Sequence, residues 1–309
     1  MPKFQLETEI GELMLLHYNY DSASMAVTSK SPTSFEIADM QGDRVVYSGS
    51  GFTFDGNKAT DGNVTKVEFF NPGGDLLLTI SDASFKLAEL STTDVLSNFS
   101  IFEKGKDTFT GSEAGDVILY GDNKGNDRIL GLGGNDYIMG SAGKNFIDGG
   151  EGDRDVLTFS NIDYARNKGV TGINANLETG AVVNPWGKID KVTGIEDVRG
   201  TKFADIFVGS DRNEFFSGLE GNDTFTGGGG NNLFEFSDGS DKDRIRDFGN
   251  GDDVVELYVQ AVSTFEQLQG MMVQKGKNVV VDFGNGDVLT FLKFDKNDFV
   301  SDDFTIYDI

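Results

Sequence analysis

Along two stretches of the chain, single large apolar residues recur between polar or small neighbours. They are Phe109, Ile118, Ile129, Ile138, Ile147 and Val156, then Phe207, Phe216, Phe225, Phe234 and Ile245, most often spaced nine residues apart. A glycine-rich turn of six residues followed by a strand of three is too short to hold a helix, and its glycines admit the positive φ of a tight loop. Two such units make one turn of a flattened parallel coil, in which stacked turns bury the recurring apolar residues in a narrow core.

The pattern is most regular at Gly131 (GLGGNDYIM), Gly140 (GSAGKNFID), Gly149 (GGEGDRDVL), Gly218 (GLEGNDTFT) and Gly227 (GGGGNNLFE). These fit G-G-x-G-x-D-x-U-x, with U a large apolar residue. Units from Gly111, Gly200 and Gly209 are degenerate, and those ending in Ile129 and Ile245 are two residues longer. Ala114, Phe203 and Arg212 stand at a loop-glycine position, and Arg154 stands where the count of nine expects Asp. Asp155 restores that position only with a one-residue bulge.

Outside the repeats the signals change. Val64 to Phe70 and Leu76 to Ile80 flank the turn Asn71-Pro72-Gly73-Gly74, predicting paired strands in a small N-terminal β-domain, with a short helix near Ser84 to Leu90. Residues 158–199 alternate without a repeat, as in Val170 to Leu177, and read as a β-insertion. Ser263-Thr264-Phe265-Glu266 has capping-box spacing ahead of a helix carrying Phe265, Leu268 and Met272. Asn278 to Phe283 and Asp287 to Leu292 flank Gly284-Asn285-Gly286 as a hairpin. The expected organisation is all-β: an N-terminal β-domain over 1–100, parallel β-rolls over 101–157 and 200–257, the insertion between them, and a helix and hairpin cap over 258–309.

Composition adds charge to this picture. A net charge of −25 opposes binding to phosphate backbones or anionic membranes and favours cations, while 38% hydrophobic residues with 26 Phe supply material for a core. There is no Cys, so disulfides and thiolate metal sites are excluded. No apolar run approaches the roughly 18 residues of a membrane span, and the first residues lack the pattern of a Sec signal peptide.

Ca²⁺ is a hard cation that takes six to eight oxygens from carboxylates and carbonyls. Glycine loops expose carbonyls, and the Asp at the sixth position is short enough to reach an ion beside them. Because two units make one turn, alternate units share an edge. One edge of the first block carries Asp116, Asp136 and Asp155, opposite Asp107, Asp127 and Asn145. In the second block Asp205, Asp223 and Asp243 lie opposite Glu214, Asn232 and Asp253. With the loop glycines Gly131, Gly133, Gly149, Gly218 and Gly227, these are the candidate ligands for several ions. The Asp-only edges are expected to bind more tightly.

These repeats resemble those of the RTX (repeats-in-toxin) family over about residues 102–160 and 200–309. Gly218 to Thr226 fits position by position except at Leu219, and Gly194 to Gly200 is similar to the family's lead-in. Arg246-Asp247-Phe248, the hairpin Val279 to Phe291 and the tail Asp303 to Ile309 resemble its closing segment and export signal. The resemblance implies a β-roll that folds on calcium outside the cell after type I export.

Family membership leaves activity open. The single His17 rules out H-E-x-x-H and reads as structural, and G-x-S-x-G and nucleotide-binding glycine motifs are absent. Trp186 reads as a turn residue, and Asp122 to Asp127 lacks the Gly and Glu of an EF-hand loop. The sequence thus favours an adhesive, matrix-associated or partner-binding protein with an extracellular polysaccharide or protein partner. The alternative is a polysaccharide-modifying enzyme using carboxylates in the N-terminal region.

Overall fold

The computed structural model describes residues 3–6, 26–56, 58–82, 85–87, 106–118, 125–160 and 170–308. They form two units, Met1–Asp153 and Arg154–Ile309. His17 and Asp122 lie outside the described residues.

In the first unit, strands Ala26–Lys30, Ser34–Ala38, Arg44–Asp55, Lys58–Phe70 and Leu76–Ser81 pair antiparallel in sequence order. Alternation along them turns Phe35, Val45, Tyr47, Val67, Phe69, Leu78 and Ile80 inward, as a one-sided sheet requires. The Asn71 turn joins its two strands as expected. Of the helix expected near Ser84 to Leu90, Phe85–Lys86 is instead a strand paired with Asn63 and Val64, Leu87 begins a 3-10 turn, and Ser84 and residues 88–90 lie outside the described residues. Phe85 can continue the sheet, whereas so short a segment gains little from helix formation.

The repeats of this unit form parallel ladders of three-residue strands. Thr108–Thr110, Arg128–Leu130 and Phe146–Asp148 stack in register, placing Phe109, Ile129 and Ile147 in line. Ile118 and Ile138 align in the opposite sheet. All five are buried.

The second unit repeats this plan. Ile206–Val208, Thr224–Thr226, Lys242–Ile245 and Asp287–Phe291 build one parallel ladder. Val156–Thr158, Asp197–Thr201, Phe215–Leu219, Leu233–Ser237, Val254–Tyr258 and Phe304–Ile306 build the other. Between the sheets Phe207 stacks on Phe225 at 5.0 Å, and Phe216 and Phe234 pack beside them. The inward residue of the first strand is Leu157, fully buried, and not Val156, which is half-buried. The bulge that admits Arg154 moves Asp155 to the sixth position and shifts the apolar residue by one.

Antiparallel strands Asn174–Asn176, Ala181–Val183 and Ile189–Thr193 fill the stretch between the repeats, the first joining Ile206–Val208. Beyond the repeats, the helix Phe265–Met271 starts one residue later than its sequence signal. Thr264 caps it by accepting from Gln267 N, while Gln267 Oε1 accepts from Ser263 N. Gln267 can reach back over a full turn, and so it displaces Glu266 from the capping role. Phe248, Phe291, Phe294, Phe299 and Phe304 close the end of the core as an aromatic cluster. Among the described residues, no helix is long and apolar enough to cross a membrane.

Phe225 touches aromatic neighbours on both sheets and is 1% exposed. Phe225→Ala is expected to destabilise the calcium-loaded protein by about 3–5 kcal/mol, read from the denaturant midpoint at unchanged slope.

Candidate metal centre

Each strand of the rolls is entered through a polar residue whose side chain turns inward. Asp107, Asp116, Asp127, Asp136, Asn145, Asp155, Asp205, Glu214, Asp223, Asn232, Asp243 and Asp253 are all at most 4% exposed. They are bound turn to turn by one repeated contact: a backbone N–H donates to the side-chain oxygen of the corresponding residue one turn later. In the first unit Asp107 N donates to Asp127 Oδ1 (2.8 Å), Asp127 N to Asn145 Oδ1 (3.0 Å) and Asp116 N to Asp136 Oδ1 (2.8 Å). In the second, Asp205 N donates to Asp223 Oδ1 (2.7 Å) and Asp223 N to Asp243 Oδ1 (2.8 Å). Glu214 N donates to Asn232 Oδ1 and Asn232 N to Asp253 Oδ1 on the other edge. Alternate repeats therefore share an edge.

The remaining oxygens turn toward the glycine loops. Thr201 N donates to Asp205 Oδ2 (2.7 Å) and Ser112 N to Asp116 Oδ2 (2.6 Å), whereas Asp223 Oδ2 is buried without a hydrogen-bond partner. A Cβ at Gly131 would collide with the Asp136 carboxylate and the Gly149 carbonyl, and one at Gly218 with the Asp223 carboxylate. At Gly227 it would meet the Asn232 amide. Gly133 N donates to Ser112 O, joining neighbouring loops. Oxygen atoms thus converge where only glycine fits. Among the described residues no three acidic or imidazole side chains gather as a metal cluster. A cation here would draw its other oxygens from loop carbonyls, which suits calcium and not a nitrogen- or sulfur-seeking metal.

Left-handed backbone falls at the second and fourth loop positions. Leu132 (φ 80°) and Leu219 (φ 69°) take it at the second, as Gly228 does (φ 85°). Ala114, Phe203 and Arg212 do not adopt it at the fourth position, where Gly134, Gly221 and Gly230 of the following turns do. These departures from glycine are accommodated by a different loop backbone.

The two edges of the second unit differ electrostatically. Burial raises the pKa of Asp205 to about 7, of Asp223 to about 9 and of Asp243 to about 8. The neighbouring Asp243 carboxylate adds to the shift at Asp223, and Asp241 to that at Asp243. On the opposite edge burial also raises Glu214, but Ser210 hydrogen bonds and the Arg212 guanidinium oppose it. Arg212 Nη1 lies 2.8 Å from Glu196 Oε1, and Asn232 Nδ2 donates to Asp253 Oδ1 (3.1 Å). This edge is partly neutralised by the protein's own groups.

Several participants escaped the sequence reading. Glu196 Oε2 accepts from Asp155 N (3.2 Å). Asp287 accepts from Asp241 N and Gly239 N (both 3.0 Å), making the same kind of contact from the C-terminal hairpin two residues before Asp243. Its signal was Gly284-Asn285-Gly286-Asp287, a glycine turn ending in Asp. Asp247 accepts from Gly227 N and Gly228 N. A second, uncharged ladder runs through the fifth position: Asn126, Asn135, Asn213 and Asn231 accept from Lys144 N, Asp153 N, Asn231 N and Asp252 N.

A family model described as the RTX calcium-binding nonapeptide repeat matches in four copies, over residues 121–156 and 208–242. No curated protein matches the chain. Among solved structures, an extracellular lipase, LipA from Serratia marcescens, is similar at 19% identity and a TM-score of 0.27. The match covers 66% of this chain and 40% of the lipase.

Because Asp205, Asp223 and Asp243 hold protons more tightly folded than unfolded, their contribution to stability is full below the unfolded pKa of about 4. It is lost as pH rises through about 7 to 9. Calcium-free protein is therefore expected to gain β-type circular dichroism on acidification from pH 8 to pH 5. Calcium addition near pH 7 should release protons, seen as a calorimetric heat that scales with buffer ionisation enthalpy.

Proposed function

We propose, from the premise that this chain carries RTX calcium-binding nonapeptide repeats, that its two rolls fold around Ca²⁺ outside the cell and there present a surface to an extracellular partner. The observation that carries this reading is the ladder of buried carboxylates. Stacked turns lie about 4.8 Å apart, where two like charges repel by on the order of 3 kcal/mol at an effective dielectric near 20. Each repeat's buried apolar residue contributes a similar amount in the opposite sense. Ordering the backbone then leaves a deficit that a bound divalent cation offsets.

In this reading Asp205, Asp223 and Asp243, with loop carbonyls that include Gly218, hold ions in the second roll. Asp107, Asp116, Asp127, Asp136 and Asn145, with carbonyls of Gly131, Gly133 and Gly149, serve the first, and Asp155 stands with the second unit, beside Glu196. Bound calcium supplies the positive charge that lets these carboxylates remain ionised. The edge Glu214, Asn232 and Asp253, beside Gly227, binds more weakly, because Arg212 and the Asn232 amide already offset part of its charge. The kind of repeat supports type I export, and the partner is a polysaccharide or protein.

Millimolar Ca²⁺, but not Mg²⁺, is expected to produce a large gain in β-type circular dichroism. Asp223→Ala should lose more bound calcium than Asn232→Ala in equilibrium titration. An unchanged spectrum, or equal losses in the two variants, would contradict this assignment.

A further inference from the structure

On the second unit, one groove of about 340 Å³ is lined by Ser160, Lys202, Leu219, Glu220, Ser237 and Asp238. Its chemistry belongs to none of the carboxylates of the ladder. Lys202, Glu220 and Asp238 are the residues that follow Thr201, Leu219 and Ser237; Thr201 pairs with Leu219 across neighbouring strands, and Ser217 with Glu235, two residues before Leu219 and Ser237. Tyr258 lies opposite Ser237.

The Tyr258 ring stacks on Tyr307 with centroids 4.3 Å apart and planes 3° apart. Adjacent strands are separated by about the same distance, so both rings stand upright on the sheet with their faces toward the neighbouring strands. Glu256 fixes them there: Tyr307 Oη donates to its Oε1 (2.9 Å) and Tyr258 Oη to its Oε2 (3.4 Å). One face of Tyr258 is covered by Tyr307. The other lies on the side of Ser237, its partner on the next strand, which lines the groove and whose side chain is too small to cover a ring.

An upright aromatic face beside a shallow trough with hydroxyl, carboxylate and ammonium groups, over the apolar Leu219, suits a ring that is apolar on its faces and hydroxylated around its edge. We propose that this groove binds a pyranose of a neutral or amino-bearing saccharide, stacked on Tyr258 and hydrogen-bonded to Lys202, Glu220, Asp238 and Ser160. Two carboxylates against one ammonium, on a chain of net charge −25, disfavour uronate and sulfated sugars. The site rests on the reading that the calcium-loaded rolls face an extracellular partner, and it names the class of that partner.

The test is calorimetric titration of the calcium-loaded full chain with cellohexaose, a chitosan oligomer and an oligogalacturonate. Binding of either of the first two is expected, with oligogalacturonate weaker by at least roughly tenfold, about 1.4 kcal/mol. Tyr258→Ala removes the platform and Ser237→Phe fills the space beside it. Each should weaken binding by a similar factor while the calcium-induced circular dichroism is kept. Binding that neither variant moves, preference for the oligogalacturonate, or no binding by a chain that folds normally with calcium would overturn the groove alone. A chain whose spectrum ignores calcium would overturn the underlying reading and the groove with it.

Discussion

Carboxylates of one sign, buried and stacked a single turn apart, are the constraint to which the rest of this protein answers. Asp205, Asp223 and Asp243 are each about 1% exposed or less and share a ladder in which every side chain accepts the preceding turn's N–H. A group so placed holds its proton or finds a cation. The pKa values raised to about 7, 9 and 8 express the first alternative. The oxygen-rich glycine loops provide for the second.

The core serves the same constraint from the other side. Strands of three to five residues bury few side chains, so the recurring one must be large, and in the second unit it is Phe four times running: Phe207, Phe216, Phe225 and Phe234. Their contacts with one another spread the apolar gain along the stack. The aromatic cluster around Phe248 and Phe291 ends the core where no further repeat follows to cover it. Arg212 shows that a turn can also be balanced by a covalently fixed cation, set beside Glu196.

Much of this was legible in the sequence because the period is rigid. The sixth-position residues and the recurring apolar residues were placed by counting, and the counting erred only where the chain departs from nine. At Arg154 the extra residue made Leu157, and not Val156, the inward side chain. The helical cap slipped by one residue because both Ser263 and Thr264 can cap, and side-chain reach from Gln267 decided between them. Asp287 was hidden because its contacts depend on a strand that returns from far along the chain. The Asn ladder was hidden because its position carries no requirement in the repeat pattern.

The hydrogen bonds of the carboxylate ladder all point one way: the earlier turn gives the N–H, the later turn the oxygen. The fifth-position Asn ladder runs the other way, the later turn giving the N–H to the earlier turn's oxygen, so each turn is tied to both its neighbours. Asp287 accepts from Gly239 and Asp241 in the same sense as the carboxylate ladder. The hairpin that carries it thus closes the stack with the same kind of contact that joins its turns.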